Sequence, residues 1–288
     1  MRQLGRHLYI RTLLVVLMAI FSKLSLAAEL SPLSIGDALT LKSNILAEQR
    51  RINIYFPSEY HRNKKGKYPV LYMPDGGLEE DFLHIAGLVQ IGALNWTMRP
   101  FILVGIENTE RKRDLTGPTS DPRDKEIAPN IGGSDKFRAF IRDELMPEIN
   151  KRYRTSGETA IIGESLAGLF VIETLLEEPS LFDSYLAVDP SLWWDKERLV
   201  STSADRLNKN LPDKNQQAQA QAKAGQKRVY IAASSQKGIV EPSRALSEVF
   251  SKDDRIEVVF KELPNETHLS VYHPAALSGL RSMFPREQ

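Results

Sequence analysis

The chain has 288 residues, of which 42% are hydrophobic and 26% charged, with a formal net charge of +1. This is ordinary globular composition, long enough for one large core, and the near-neutral balance offers no footing for nucleic acid as a partner. There is no cysteine, which excludes disulfide staples, thiolate catalysis and Cys-zinc sites.

At the start, Arg2, Arg6 and Arg11 precede the apolar run Leu13–Phe21, and Ser25-Leu26-Ala27 follows it. This is the pattern of a signal peptide cleaved after Ala27; the run is too short for a membrane span, which needs roughly 20 apolar residues. Losing residues 1–27 removes Arg2, Arg6, Arg11 and Lys23 and no acid, taking the net charge from +1 to −3. The expected mature protein is a single domain, 28–288, periplasmic or secreted, with no stable membrane span.

Segments 37–43 and 51–57 alternate apolar and polar residues, as half-buried strands do. The continuous apolar runs 68–73 and 101–106 are expected as central parallel strands covered on both faces, ending at Asp75-Gly76-Gly77 and Asn108-Thr109. A helix is expected near 82–89. Between Ser134 and Tyr153, Phe137, Phe140, Ile141, Leu145 and Ile149 recur at helical spacing and predict one amphipathic helix. A strand over 159–162, a helix over 169–176 and a strand over 184–188 follow. Residues 207–227 lack an apolar face and read as an exposed insertion. Strands over 228–233 and 255–263 and helices over 241–250 and 274–283 complete an α/β chain: a mostly parallel sheet with helices on both faces, the α/β-hydrolase arrangement.

Ser165, in Gly163-Glu164-Ser165-Leu166-Ala167-Gly168, matches G-x-S-x-[GA]. The pattern alone is weak, but here it joins a buried strand to a helix, the setting that exposes a nucleophilic Oγ at the end of a sheet. The competing reading is an ordinary helix N-cap. The Leu166 N–H would open the following helix, where positive partial charge favours an oxyanion. Gly76 and Gly77 are the candidates for a second backbone donor.

A serine needs a base, and His61, His84, His268 and His273 remain after cleavage. His268 follows the last strand, as the chain order of this fold demands, with His273 as its competitor. The carboxylate that fixes the imidazole tautomer is expected after the preceding strand, where Glu241 is the sole acid before the next helix. Asp253, Asp254 or a Ser–His dyad without an acid are the alternatives. Nothing calls for a metal or cofactor, and a small-molecule ester is the partner implied.

These segments resemble the esterase-D-like putative esterases of the α/β-hydrolase superfamily, which include bacterial siderophore (ferric enterobactin) esterases. The resemblance rests on Tyr68–Gly77, Val104–Thr116, Gly163–Phe170, Pro190–Trp194 and Glu266–Val271. It implies a metal-independent carboxylic-ester hydrolase, acylated on Ser165 and deacylated by water that His268 activates, with siderophore esters as candidate substrates. Arg111, Arg113, Trp193 and Trp194 could contact an anionic aromatic ligand; a solvated basic loop and core aromatics are the alternative. Acyl transfer to another acceptor and a disabled binding protein remain open on the same fold. Two residues depart from the family: Ala167 replaces glycine, and Asp189 replaces serine before Pro-Ser-Leu-Trp-Trp, placing a carboxylate near the site.

Overall fold

A computed structural model describes residues 30–211 and 226–286. The segment expected to be a signal peptide lies outside the described residues, as does most of the expected insertion. The described residues from Ile35 onward cluster as one compact unit.

Eight strands form one sheet: β1 (Gly36–Ser43), β2 (Glu48–Tyr55), β3 (Tyr68–Pro74), β4 (Ile102–Ile106), β5 (Thr155–Glu164), β6 (Ser184–Val188), β7 (Lys227–Ser234) and β8 (Ile256–Leu263). Their order is β1-β2-β4-β3-β5-β6-β7-β8. Only the β1–β2 and β2–β4 pairings are antiparallel. The rest is parallel, so the C-terminal ends of β5, β6, β7 and β8 share one edge, where ligands of open α/β sheets bind.

The principal helices are α1 (Phe82–Leu94), α2 (Ser134–Phe140), α3 (Met146–Arg152), α4 (Leu166–Glu177), α5 (Trp194–Ser201), α6 (Ser203–Asn210), α7 (Lys237–Phe250) and α8 (Tyr272–Met283). The period-two alternation of the central strands divides the core. Val70, Tyr72, Ile161, Tyr185 and Ile231 pack on one face with Phe137, Phe170 and Leu246; Leu71, Met73, Ile162, Leu186 and Tyr230 pack on the other with Ile85, Val89 and Ala275. Every residue of β3, β4 and β6 is buried, which explains sequences that are apolar apart from Ser184 at the start of β6.

Helix α4 is buried from Leu166 to Leu176, so its apolar residues run round the helix rather than along one stripe, with Glu173 and Thr174 buried among them. The single helix expected over 134–153 is interrupted by a π turn at Ile141–Leu145. Pro147, in the first turn of α3, has no N–H and its ring crowds the carbonyl four residues back, so the ladder locally widens. The expected insertion also begins too early. Leu207 and Leu211 are both 2% exposed, closing α6 against the core.

Candidate active site

Ser165 occupies the turn between β5 and α4 with φ 58° and ψ −120°, a conformation a non-glycine residue holds only when its surroundings impose it, at about 1–3 kcal/mol. Three backbone bonds do so: Ser165 N–H donates to Val188 O at 3.0 Å, and Ser165 O accepts from Leu169 N–H at 2.9 Å and Ser191 N–H at 3.0 Å. The turn also needs close approach. A Cβ on Gly163 would lie 2.6 Å from the Ala167 carbonyl, and one on Gly168 would lie 3.0 Å from Val188 O. Ala167, the departure from family glycine, therefore fits because Gly163 opposite it carries no side chain. The Leu166 N–H opens α4 and has no intrahelical acceptor.

His268, on the loop after β8, places Nε2 3.1 Å from Ser165 Oγ. Its Nδ1 lies 2.9 Å from Asp189 Oδ2. Asp189 is fully buried at the end of β6, 0% exposed, and its other bonds come from the Ser234 backbone N–H and, at 2.7 Å, the Ser234 hydroxyl. The end of β7 also holds the histidine loop: Ser235 N–H and Oγ donate to Glu266 O at 3.1 and 2.9 Å. The hydrogen bond to Asp189 raises the His268 pKa above its usual value, opposed by partial burial and reinforced by Glu164. Burial pushes the Glu164 carboxyl up to about 7, with Asp81, Asp189 and Asp75 adding to the rise and His268 opposing it. Burial likewise lifts Asp81 to about 6, with Asp75 next.

Several expected site residues are placed differently. Glu241 is not the partner of His268. It sits on the outer face of α7 with its side chain 57% exposed, 3.7 Å from Lys237 Nζ, while Ile239, Pro242, Ser243 and Leu246 of the same helix are buried. The carboxylate bonded to the imidazole is Asp189, one strand earlier. Asp253 is paired with Arg255 at 2.6 Å instead. His273 pairs with His84, Nδ1 to Nε2 at 3.0 Å.

Neither loop glycine has a free N–H. Gly76 donates to Ile106 O at 2.9 Å and Gly77 to Glu80 Oε2 at 2.7 Å. Gly76 is required for packing, because a Cβ there would stand 2.2 Å from Ile106 N. Of the basic residues, Arg111 makes a bidentate pair with Asp75, Nε and Nη2 both at 2.7 Å. Arg113 bridges Asp114 at 2.7 Å and Glu48 at 2.9 Å, joining a network in which buried Arg50 also binds Asp114 and Glu48; its role is to tie the loop after β4 to β2. Trp194 is buried and donates Nε1–H to Gly117 O at 3.0 Å. Trp193 is 38% exposed.

The model of the family described as "Putative esterase" matches residues 43–279. The chain belongs to this family. Among curated proteins it is similar to the ferri-bacillibactin esterase BesA of Bacillus subtilis, 32% identical over 168 residues, 52% of this chain and 56% of that protein. A siderophore enterobactin esterase of Emericella nidulans is 38% identical over 94 residues, 32% of this chain and 29% of that protein. These matches thus span about half, or less, of the relatives' length. Among solved structures, an IroE-like serine hydrolase from Shewanella oneidensis superposes with a TM-score of 0.74 at 28% identity, covering 86% of this chain and 80% of that one. The BES protein from Bacillus cereus shares the fold, with a TM-score of 0.74 at 23% identity over 91% of this chain and 100% of that one. The fold is that of the α/β-hydrolases, and no helix among the described residues is long and apolar enough to cross a membrane.

Proposed function

We propose that the chain is an exported serine carboxylic-ester hydrolase acting on siderophore-type esters. The observation that carries this reading is the continuous Asp189–His268–Ser165 relay, with contacts of 2.9 and 3.1 Å, on a strained strand-to-helix turn. Ser165 Oγ attacks the ester carbonyl while His268 Nε2 takes its proton; the carbonyl π electrons move onto oxygen, stabilised by the Leu166 N–H. Collapse of the tetrahedral adduct expels the alcohol, which His268 protonates. Water, deprotonated by His268, then attacks the acyl-enzyme and releases the acid. Buried Asp189 holds the imidazole in the tautomer that leaves Nε2 unprotonated and stabilises the imidazolium.

The basic start, apolar run and Ser25-Leu26-Ala27 of the sequence support export. The curated relatives named as siderophore esterases support the substrate class, and Trp193 offers a flat apolar surface for an aromatic or acyl group. The test is a hydrolysis panel comparing short acyl esters with ferric and iron-free ester siderophores, with products analysed in the presence and absence of a competing alcohol. Ester-siderophore cleavage to the free acid is expected. Selective turnover of simple acyl esters, or acyl transfer to the alcohol in preference to water, would overturn the assignment.

A further inference from the structure

We propose that the Ser191 hydroxyl is a hydrogen-bond donor to the oxyanion formed on Ser165, an inference that rests on the esterase reading above. The glycine N–H groups from which a second donor was expected are engaged, Gly76 by Ile106 O and Gly77 by Glu80. Ser165 Oγ has two side-chain hydrogen-bond partners among the described residues: His268 Nε2 at 3.1 Å and Ser191 Oγ at 3.4 Å. Ser191 is 2% exposed. It is anchored by its own backbone, its N–H donating to Ser165 O at 3.0 Å and its carbonyl accepting from Trp194 N–H at 3.1 Å. The segment that delivers Asp189 to the imidazole thus delivers Ser191 to the nucleophile two residues later.

The resting contact is long for an O–H···O bond, whose usual length is about 2.7–2.8 Å, so it holds the nucleophile weakly and leaves room to strengthen as charge develops. An interaction stronger in the transition state than in the ground state is what accelerates the reaction. When Ser165 Oγ bonds to the carbonyl carbon, its proton passes to His268 and negative charge appears on the oxygen attached to that same carbon. Ser191 keeps its proton and shares it with that oxygen, complementing the Leu166 N–H, so no proton is consumed.

The test compares Ser191→Ala, Ser191→Cys and Ser165→Ala in the mature protein. The readouts are turnover of an aryl acetate, inhibition by a trifluoromethyl ketone that forms a hemiketal oxyanion on serine, melting temperature and pH profile. Loss of one oxyanion donor costs on the order of 10²–10³ in kcat, so both Ser191 variants are expected to lose about a hundredfold with little change in KM. Affinity for the ketone should fall in parallel, while melting temperature and pH midpoint stay in place. Cysteine fills the serine volume but its S–H is a weak donor; recovery of kcat in Ser191→Cys would mean packing alone and overturn the proposal. So would a kcat near wild type in Ser191→Ala. If the alanine variant does not fold, the cysteine variant carries the same decision. Turnover that is absent in wild type or survives Ser165→Ala sinks the esterase reading and this proposal with it, whereas Ser165-dependent turnover indifferent to Ser191 sinks this proposal only.

Discussion

Replacing Asp189 by asparagine isolates the acid of the relay. The carboxylate accepts three hydrogen bonds, from Ser234 N–H, Ser234 Oγ–H and His268 Nδ1, in a site with no exposure to water. An asparagine that keeps its oxygen on Ser234 N–H presents its amide N–H₂ to His268, where it can only donate. That forces Nδ1 to be the unprotonated nitrogen and places the proton on Nε2, where it faces Ser165 Oγ and blocks general-base catalysis. The analogous substitution in a serine protease lowers kcat by about 10⁴, and each tenfold is about 1.36 kcal/mol of barrier. A loss of 10³–10⁴, about 4–5.5 kcal/mol, is therefore expected here, with KM nearly unchanged. The assay is steady-state hydrolysis of an aryl ester, with circular dichroism confirming the fold. Glu241→Gln, on the solvent face of α7, is the paired control and should stay within about twofold, as surface substitutions away from a site do. A strong loss in Glu241→Gln together with near-normal turnover in Asp189→Asn would refute the assignment.

Because the bond to Asp189 raises the His268 pKa, and the imidazole must be neutral to accept a proton, kcat/KM should fall as pH drops through a midpoint above about 6.5, the ordinary histidine value. In Asp189→Asn the residual activity should show that limb at lower pH; an unchanged midpoint would remove the electrostatic role of Asp189. Gly163→Ala would drive its methyl into the Ala167 backbone at 2.6 Å, and an overpacking cost of about 1–3 kcal/mol or more should appear as a lower melting temperature together with lost activity. Arg50→Met strands buried Asp114 and takes a partner from half-buried Glu48; the urea midpoint should fall by an amount equivalent to about 3 kcal/mol, the low end for a broken buried pair because Arg113 still reaches both acids. Trp193→Ala should raise KM for aromatic esters by a factor of about 2–10, as for loss of one aromatic contact, and leave kcat nearly unchanged; no change in KM would place the ligand elsewhere.

The strand 184–188 is legible to the residue because Ser184 and four apolar positions, all buried, are bounded by turn chemistry, and the pairing of Ser165 with His268 is legible from strand-turn-helix context and chain order. Glu241 shows where that reasoning stops. Chain order says which strand precedes the histidine, but it does not say which strand end lies near the imidazole. Strand β6 is hydrogen-bonded between β5 and β7, so Asp189 stands beside the nucleophile's own strand, while α7 turns Glu241 toward water. The available signal was the Asp189 departure itself, a carboxylate at a parallel strand's C-terminal end in the order Ser, Asp, His. The engagement of Gly76 and Gly77 and the Arg111–Asp75 pair were hidden for a related reason. They depend on side chains and carbonyls distant in sequence, and no local pattern reports whether a donor already has an acceptor.

The central claim, that Ser165 is the nucleophile activated by His268, is tested most directly by mass analysis of the purified protein treated with a fluorophosphonate probe. One adduct is expected, on the peptide containing Ser165; it should be absent in Ser165→Ala and form far more slowly in His268→Ala. No adduct on the folded wild-type protein, or an adduct that survives Ser165→Ala, would contradict the account.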